Sequence, residues 1–586
     1  MTLALQAVAP VVQSARIGQV YAEHYAEKPE KDHNLTSRAM NKTLGAAFPQ
    51  AIGIWSLASL LIAAGVLLPI IAILVLAFFP SDNIWSHLLA TTLPRYLKTT
   101  LALMLCVGFG AACVGAGTAW LVTRYRFWGV RSFEWLLLMP LAIPAYVGAY
   151  ALVDLLEYAG PVQNALRGVM GWKNAQDYWF FEIRSFGAAS FVLTMGLYPY
   201  VYLLSRAAFR EQSGAAEEVA QSLGSHAFLR FWKIGLPLAR PAIAAGTAIV
   251  MMETINDFGA VDYFAVQTLT TGIFSVWLEG SNAGGAAQLA TLGLCLIIIL
   301  VLLEKNGRSK MRFFSLSAHH RPILRQKLCG RRAVFASVFC FLPVLFGFIL
   351  PTLVLALHAV RKLEYWKDAD LYTALWNTMF VGVIAAFFTV TAGLVMVYGV
   401  RLSQQKLPRL LLPLTTIGYA VPGAVLAVGI LIPLAAFDNA LADFIFALTG
   451  REIGLILTGS SFAVILAYFV RFFAIAQGAA DTAMERVSPN LSQAARSLGR
   501  SKREILMQIF LPLIKGSLGS ALVLVFVDCV KELPATMLLR PFNFSTLATR
   551  THDQASLENL PQAAPAALLI ILVGLLAVGL LARASR

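Results

Sequence analysis

The chain has 586 residues, 58% of them hydrophobic and 13% charged, with a mean hydropathy of +0.71. A soluble domain carries about 25% charged residues, so this composition excludes a cytosolic enzyme, a disordered protein and a secreted disulfide scaffold, and leaves a polytopic membrane protein. The formal charge of +15 then reads as Lys and Arg gathered in cytoplasmic loops rather than as a nucleic-acid surface.

Residues 1–50 hold no apolar core between a basic region and a small-residue cleavage site, and are read as a cytoplasmic tail, not a signal peptide. Long uncharged runs follow at 51–79, 99–123, 135–153, 185–205 and 283–303, then at 333–360, 371–400, 410–437, 453–470 and 561–581. Each approaches the ~20 residues that a helix needs to cross the hydrocarbon core. Two further spans begin near Pro241 and Gly516 and carry acids toward their far ends. Twelve spans are expected, with both termini in the cytoplasm. The segments then facing inward hold 34 of the 46 Lys and Arg residues, the bias that the positive-inside rule requires. The basic stretch 304–333 separates two apolar spans and is read as a linker lying against anionic lipid heads, with no nucleic-acid partner. Six scattered cysteines form no C-x-x-C pair, so neither a zinc site nor a disulfide framework is supported.

The chain repeats itself. At an offset of 275, Ala220, Ser222, Leu223 and Gly224 fall on Ala495, Ser497, Leu498 and Gly499, and Ile234, Leu236, Pro237 and Leu238 fall on Ile509, Leu511, Pro512 and Leu513. At 278, Thr100 registers with Thr378, Gly115 with Gly393 and Pro144 with Pro422. The expected organisation is a first half over 51–303 and a second over 334–586, six spans each. An even number of spans separates equivalent points, so the halves are related by a pseudo-twofold axis along the membrane normal, with a pathway between them. Pro144 and Pro422 free backbone carbonyls within their spans and are candidate kinks.

Each half carries one long cytoplasmic loop at the same place. The first runs from Glu218, Val219 and Ala220 through Gly224 to Ile234, Leu236 and Pro237; the second runs from Gln493, Ala494 and Ala495 through Gly499 to Ile509, Leu511 and Pro512. Ser488 before Pro489 suits a helix start, Gly224 and Gly499 suit a left-handed helix end, and Ser501 with Glu504 forms a capping box. Pro237 and Pro512 are expected where the chain turns into the next span. A single copy would read as an ordinary amphipathic hairpin; two with identical spacing do not.

This pattern resembles the E-A-A-x(3)-G-x(9)-I-x-L-P signature of permease subunits in binding-protein-dependent ABC importers. The resemblance implies an all-α polytopic fold of two tandem six-helix MetI-like, type I importer halves, whose short loop helices dock onto two copies of an ABC ATPase. Val219 replaces the family's first Ala and Gln493 its Glu, so docking is expected to differ between the halves. The sequence holds no G-x-x-x-x-G-K-[ST] loop. The chain is therefore expected to be non-catalytic and to bind no cofactor itself, with ATP and Mg used by the partner.

Glu253 and Asp257 lie four residues apart on one helix face near the outer end of the fifth span, and the 275 offset puts them on Asp528 and Glu532. Acids within a bilayer are functional candidates, and two such pairs can face each other across the pseudo-axis as pathway lining, as a docking point for a partner or as oxygen ligands for a hard cation. They can equally end their helices and pair locally, Lys531 being one partner within reach. Glu134, Asp154 and Glu157 read as span-end residues. The run from Lys531 through Glu532, Pro534 and Arg540 to Arg550 resembles the corresponding stretch of ferric iron permeases, which implies import of Fe3+ from a periplasmic ferric-binding protein across the bacterial inner membrane. Arg540 becomes a docking candidate on that resemblance. The same architecture serves fused thiamine permeases, and an ion-gradient-driven carrier would also suit duplicated halves with buried acids, though it leaves the paired loops unexplained.

Overall fold

In a computed structural model of the chain, residues 53–80, 84–212, 219–220, 222–309, 325–402, 406–452 and 454–584 are described. The tail at 1–50 and half of the basic linker, residues 310–324, lie outside them. Eleven helices are long and apolar enough to cross a membrane, twelve if one bent pair is a single span. The first six are α1 (Ile54–Phe78), α2 (Leu93–Arg124), the bent α3 (Val130–Ala142 with Ala145–Met170), α4 (Phe186–Glu211), α5 (Phe228–Asn256) and α6 (Ala283–Glu304). The second six are α7 (Arg331–Arg361), α8 (Ala369–Leu402), α9 (Gly423–Thr449), α10 (Ser461–Glu485), α11 (Lys502–Lys531) and α12 (Leu560–Leu580).

Three boundaries differ from the hydropathy reading, each for a physical reason. Helix α10 begins at Ser461, capped by Ser460, whose hydroxyl accepts from the Phe462 amide, and runs well past Val470. Its charges do not end it because Arg471 pairs with Glu532 at 3.2 Å and Asp481 with Arg401 at 2.9 Å. Pro144 and Pro422 do not kink a continuous span; each stands in extended conformation at a helix start, φ −59° and −55° with ψ 142° in both. The two parts of α3 meet at 92°, and short helices Lys406–Leu414 and Ile417–Ala420 precede Gly423. Glu134 is more than a span end, since it holds Arg206 of α4 at 2.6 Å and Arg325 of the linker at 2.7 Å.

The repeat is visible in atomic detail. The Thr268–Thr271 capping box recurs at Thr546–Thr549. The hydroxyl of Thr100 accepts from the Leu269 amide at 2.9 Å, and that of Thr378 accepts from the Leu547 amide at 2.8 Å. Ala265 and Asn543, at the same repeat position, both have positive φ. The halves also exchange packing partners: α1 lies against α8 and α9, while α12 packs on the first part of α3. The Ser59 hydroxyl of α1 reaches the Met396 carbonyl at 3.3 Å, and Asp154 meets His358 at 2.8 Å. Strand β1 (Tyr125–Arg126) pairs in parallel with β2 (Gln326–Lys327), tying the linker to the first half. Without a hydrophobic force between helices in lipid, such close packing and polar ties hold a bundle together.

Candidate functional site

The duplicated loops close with one geometry. In the second, helix Pro489–Ser497 carries Gln493, Ala494 and Ala495, and Ser488 accepts from the Asn490 amide. Gly499 has φ +77°, and the Arg500 amide reaches back to the Ala495 carbonyl at 3.0 Å. In the first, Gly224 has φ +76°, and the Ser225 amide reaches the Ala220 carbonyl at 3.0 Å. This is a Schellman closure, in which a left-handed residue lets the next amide satisfy a terminal carbonyl, and glycine takes that conformation without a Cβ clash. The Ser222 and Ser497 hydroxyls donate to the Val219 and Ala494 carbonyls, each at 2.8 Å. Leu223 and Leu498 stand 80% and 81% exposed beside the turn, so both loops present the same apolar knob. Glu218 lies outside the described residues. The box of Ser501 and Glu504 is present; hydrogen bonds from Ser501 hold the Glu504 carboxyl below the usual carboxylate range.

The chain does not turn at Pro237 and Pro512. A proline has no N–H for the carbonyl four residues back and crowds it with its ring, so the preceding turn widens by one residue and the helix continues. The Leu236 amide bonds the Phe231 carbonyl and the Leu511 amide the Leu506 carbonyl, giving π-turns over Phe231–Gly235 and Leu506–Phe510. Both turns therefore sit inside α5 and α11, with Ile234 and Ile509 in them and Leu236 and Leu511 closing them. Sixteen residues on, about 24 Å along the axis, come Glu253 and Asp528. Each loop is thus joined to its acid by one helix.

The acids meet in one cavity. A space of about 180 Å³ between the halves is lined by Glu253, Asn256, Asp257, Asp528, Lys531 and Glu532, together with Tyr146, Tyr200, Tyr419 and Arg471. All four predicted carboxylates are there, but their local duties differ. Asp257 accepts the Ala260 and Val261 amides at 3.0 and 3.2 Å. Glu532 accepts the Ala535 and Thr536 amides, both at 3.0 Å. These two cap the short helices Gly259–Tyr263 and Pro534–Leu539. Glu253 and Asp528 occupy the last turns of α5 and α11, where the helix dipole disfavours an anion. Tyr419 donates to Glu253 at 3.4 Å, and no hydrogen bond to Asp528 is present among the described residues. Local structure accounts for the outer acids of each pair and not for the inner ones. Among the described residues, no three His, Cys, Asp or Glu side chains converge to chelate a metal. Arg540 stands apart from the cavity, paired with Asp553 at 2.8 Å.

Arg471 is not marked as a site residue in the sequence because it directly follows the end of an apolar run at Val470. Its Nη1 bonds Glu532, and a Cβ on Gly423 would collide with that pair. Lys531 does not pair locally with a carboxylate; its Nζ crosses to the Leu141 carbonyl at 3.0 Å.

Residues 105–309 and 389–586 match the family described as binding-protein-dependent transport system inner membrane component. The chain belongs to this family. Both loops and all four cavity acids of this inner membrane component lie within the matched segments, whereas α1 and α7 lie outside them. The Fe(3+)-transport system permease protein FbpB 2 of Haemophilus influenzae is 27% identical over 480 residues, 81% of this chain and 87% of its own. The putative ferric transport system permease protein FbpB 1 of the same organism is 24% identical over 511 residues, 82% and 76% of the two chains. A solved bacterial ABC transporter involved in import of the acidic polysaccharide alginate aligns with TM-score 0.35 and 16% identity, over 42% of this chain and 90% of that one. The family places the chain in the inner membrane as a multi-pass transport subunit.

Proposed function

We propose that this chain is the permease of an ATP-driven, binding-protein-dependent importer that moves ferric iron from periplasm to cytoplasm. The observation that carries the cargo is the similarity to ferric permeases across both halves at once; the acid-lined cavity between the halves supports it, since carboxylate oxygens suit a hard cation. The loops closed by Gly224 and Gly499 face the cytoplasm, as do both termini, and each docks one copy of an ABC ATPase through the exposed Leu223 or Leu498. The chain itself is non-catalytic and binds no cofactor; ATP and Mg belong to the partner. A periplasmic ferric-binding protein delivers the cargo at the opposite face, where Arg540 and the fully exposed Phe542 are its candidate contacts.

Transport follows alternating access. ATP binding draws the two ATPases together and carries the loops with them. Helices α5 and α11 transmit that displacement to Glu253 and Asp528, opening the cavity outward; hydrolysis returns it inward. The test is uptake of radiolabelled Fe3+ in cells with and without the chain, with labelled thiamine as the control cargo. Selective loss of iron uptake supports the reading. Intact iron uptake with lost thiamine uptake would replace the cargo and keep the importer.

A further inference from the structure

The cavity is not uniformly acidic. Each half supplies two carboxylates, while both cations, Arg471 and Lys531, come from the second half. At the repeat offset Arg471 corresponds to Gly196 and Lys531 to Asn256, and these two also line the cavity. The cations share one cavity with the carboxylates of both halves, Arg471 and Lys531 lining it together with Glu253 and Asp528. Among the described residues, two polar groups lining the cavity have no hydrogen-bond partner, the Tyr146 hydroxyl and Oδ1 of Asn256. Both residues are more than nine-tenths buried. Leaving a buried polar atom unpaired is costly, so the space is laid out for polar or charged contents rather than for packing.

We propose that Arg471 and Lys531 are resident counter-ions of a cation-binding site, neutralising its carboxylates when no cargo is present and ceding them to a metal cation as it enters. The proposal rests on the importer reading and adds to it the residues that set affinity. Four unopposed carboxylates in a low-dielectric cavity would hold a trivalent ion too tightly to release it. A conducting site must bind strongly enough to admit an ion and weakly enough to let it go. Tethered cations achieve this without occupying the cavity permanently: Arg471 has Glu532 as its resting partner, and Lys531 has the Leu141 carbonyl. Glu253 and Asp528, which have no capping duty, are the carboxylates that the cargo engages first.

Tb3+ is the probe, a hard trivalent ion whose emission is sensitised by neighbouring phenols such as Tyr146, Tyr200 and Tyr419. Titrated into the purified full chain in lipid nanodiscs, it should give a tyrosine-excited signal that Glu253→Gln with Asp528→Asn abolishes. Lys531→Met and Arg471→Gln should each tighten Tb3+ binding about tenfold or more, because one opposing unit charge has been removed from a poorly screened site, while iron uptake by cells falls. A merely structural role predicts the opposite, a weaker site. Should Arg471→Gln fail to insert, because it strands Glu532, Lys531→Met and the charge-conserving Arg471→Lys decide: the first tightens binding and the second leaves it near the wild-type value. Unchanged or weakened Tb3+ binding in properly inserted Lys531→Met overturns the inference, even if iron uptake depends on the chain. If uptake shows no dependence and the Tb3+ series still behaves as stated, the cargo assignment falls and the counter-ions stand.

Discussion

The two halves agree closely at their duplicated loops and diverge where they face each other across the cavity. At the loops, the closing glycines differ by a degree in φ, the serine hydrogen bonds have equal lengths, and the π-turns fall on equivalent residues. At the cavity, the second half has Arg471, Lys531 and Gly423 where the first has Gly196, Asn256 and Ala145. The substitutions are mutually consistent. Gly423 leaves room for the Arg471–Glu532 pair, which a Cβ would strike; with Gly196 in place of an arginine, Ala145 has no such pair beside it. Under the proposed function, two like ATPase partners would favour matching loop closures, whereas a single cargo passing between the halves imposes no such symmetry.

The largest expected effect breaks the shared part. Gly224→Pro or Gly499→Pro forbids the positive φ that closes each loop and should abolish transport from either half while leaving membrane insertion intact. Normal uptake by both variants would remove the loops from the mechanism. Next, Gly423→Val should disrupt the Arg471–Glu532 pair. Breaking a buried pair costs on the order of 3–5 kcal/mol, so the thermal midpoint of the purified protein should fall markedly. Ala145→Gly should lower it little, by the ~1 kcal/mol typical of such a change in a helix, and comparable losses would show that the asymmetry is incidental. A smaller effect is expected from Gln493→Glu, which makes the loops more alike; stimulated ATPase activity should change by about fivefold or less, as for a surface charge worth at most about 1 kcal/mol.

The smallest effect concerns acid. Hydrogen bonds from Ser501 lower the folded-state pKa of Glu504. The stability that this capping box contributes is therefore present above the ordinary glutamate value, about 4.3, and is lost as pH falls through the lowered folded value. His226 stands at the Ser501 position in the first half. Hydrogen-exchange protection near the start of α11, corrected for the intrinsic rate at each pH, should fall on acidification with no matching change near Phe228; equal loss at both would deny the box its role.

Most of the fold was legible because lipid imposes long apolar runs and duplication leaves equal spacing. What escaped was legible only in pairs. The end of the apolar run at Val470 concealed the true course of α10, since nothing local announces that Arg471 is neutralised by Glu532, 61 residues away. Pro237 and Pro512 looked like corners because the sequence shows the missing donor and not the widened turn that absorbs it. At the cavity, the acids were found through the repeat itself. Arg471 and the tyrosines were hidden because they break it: Arg471 corresponds to Gly196, Tyr200 to Ile475, and Tyr419 to Leu141.

Carrying both halves on one polypeptide has a consequence for charge parity. In a symmetric homodimer every residue at the interface occurs twice, so a single arginine or lysine cannot be placed there; each change arrives with its mirror image. Two copies of the first half would give a cavity with carboxylates alone, and two copies of the second would give one in which acids and bases cancel. The tandem chain reaches the intermediate state, two more acids than bases, which neither symmetric assembly can form. Covalent linkage thereby makes available a set of cavity potentials that exact symmetry forbids, and leaves them adjustable one residue at a time.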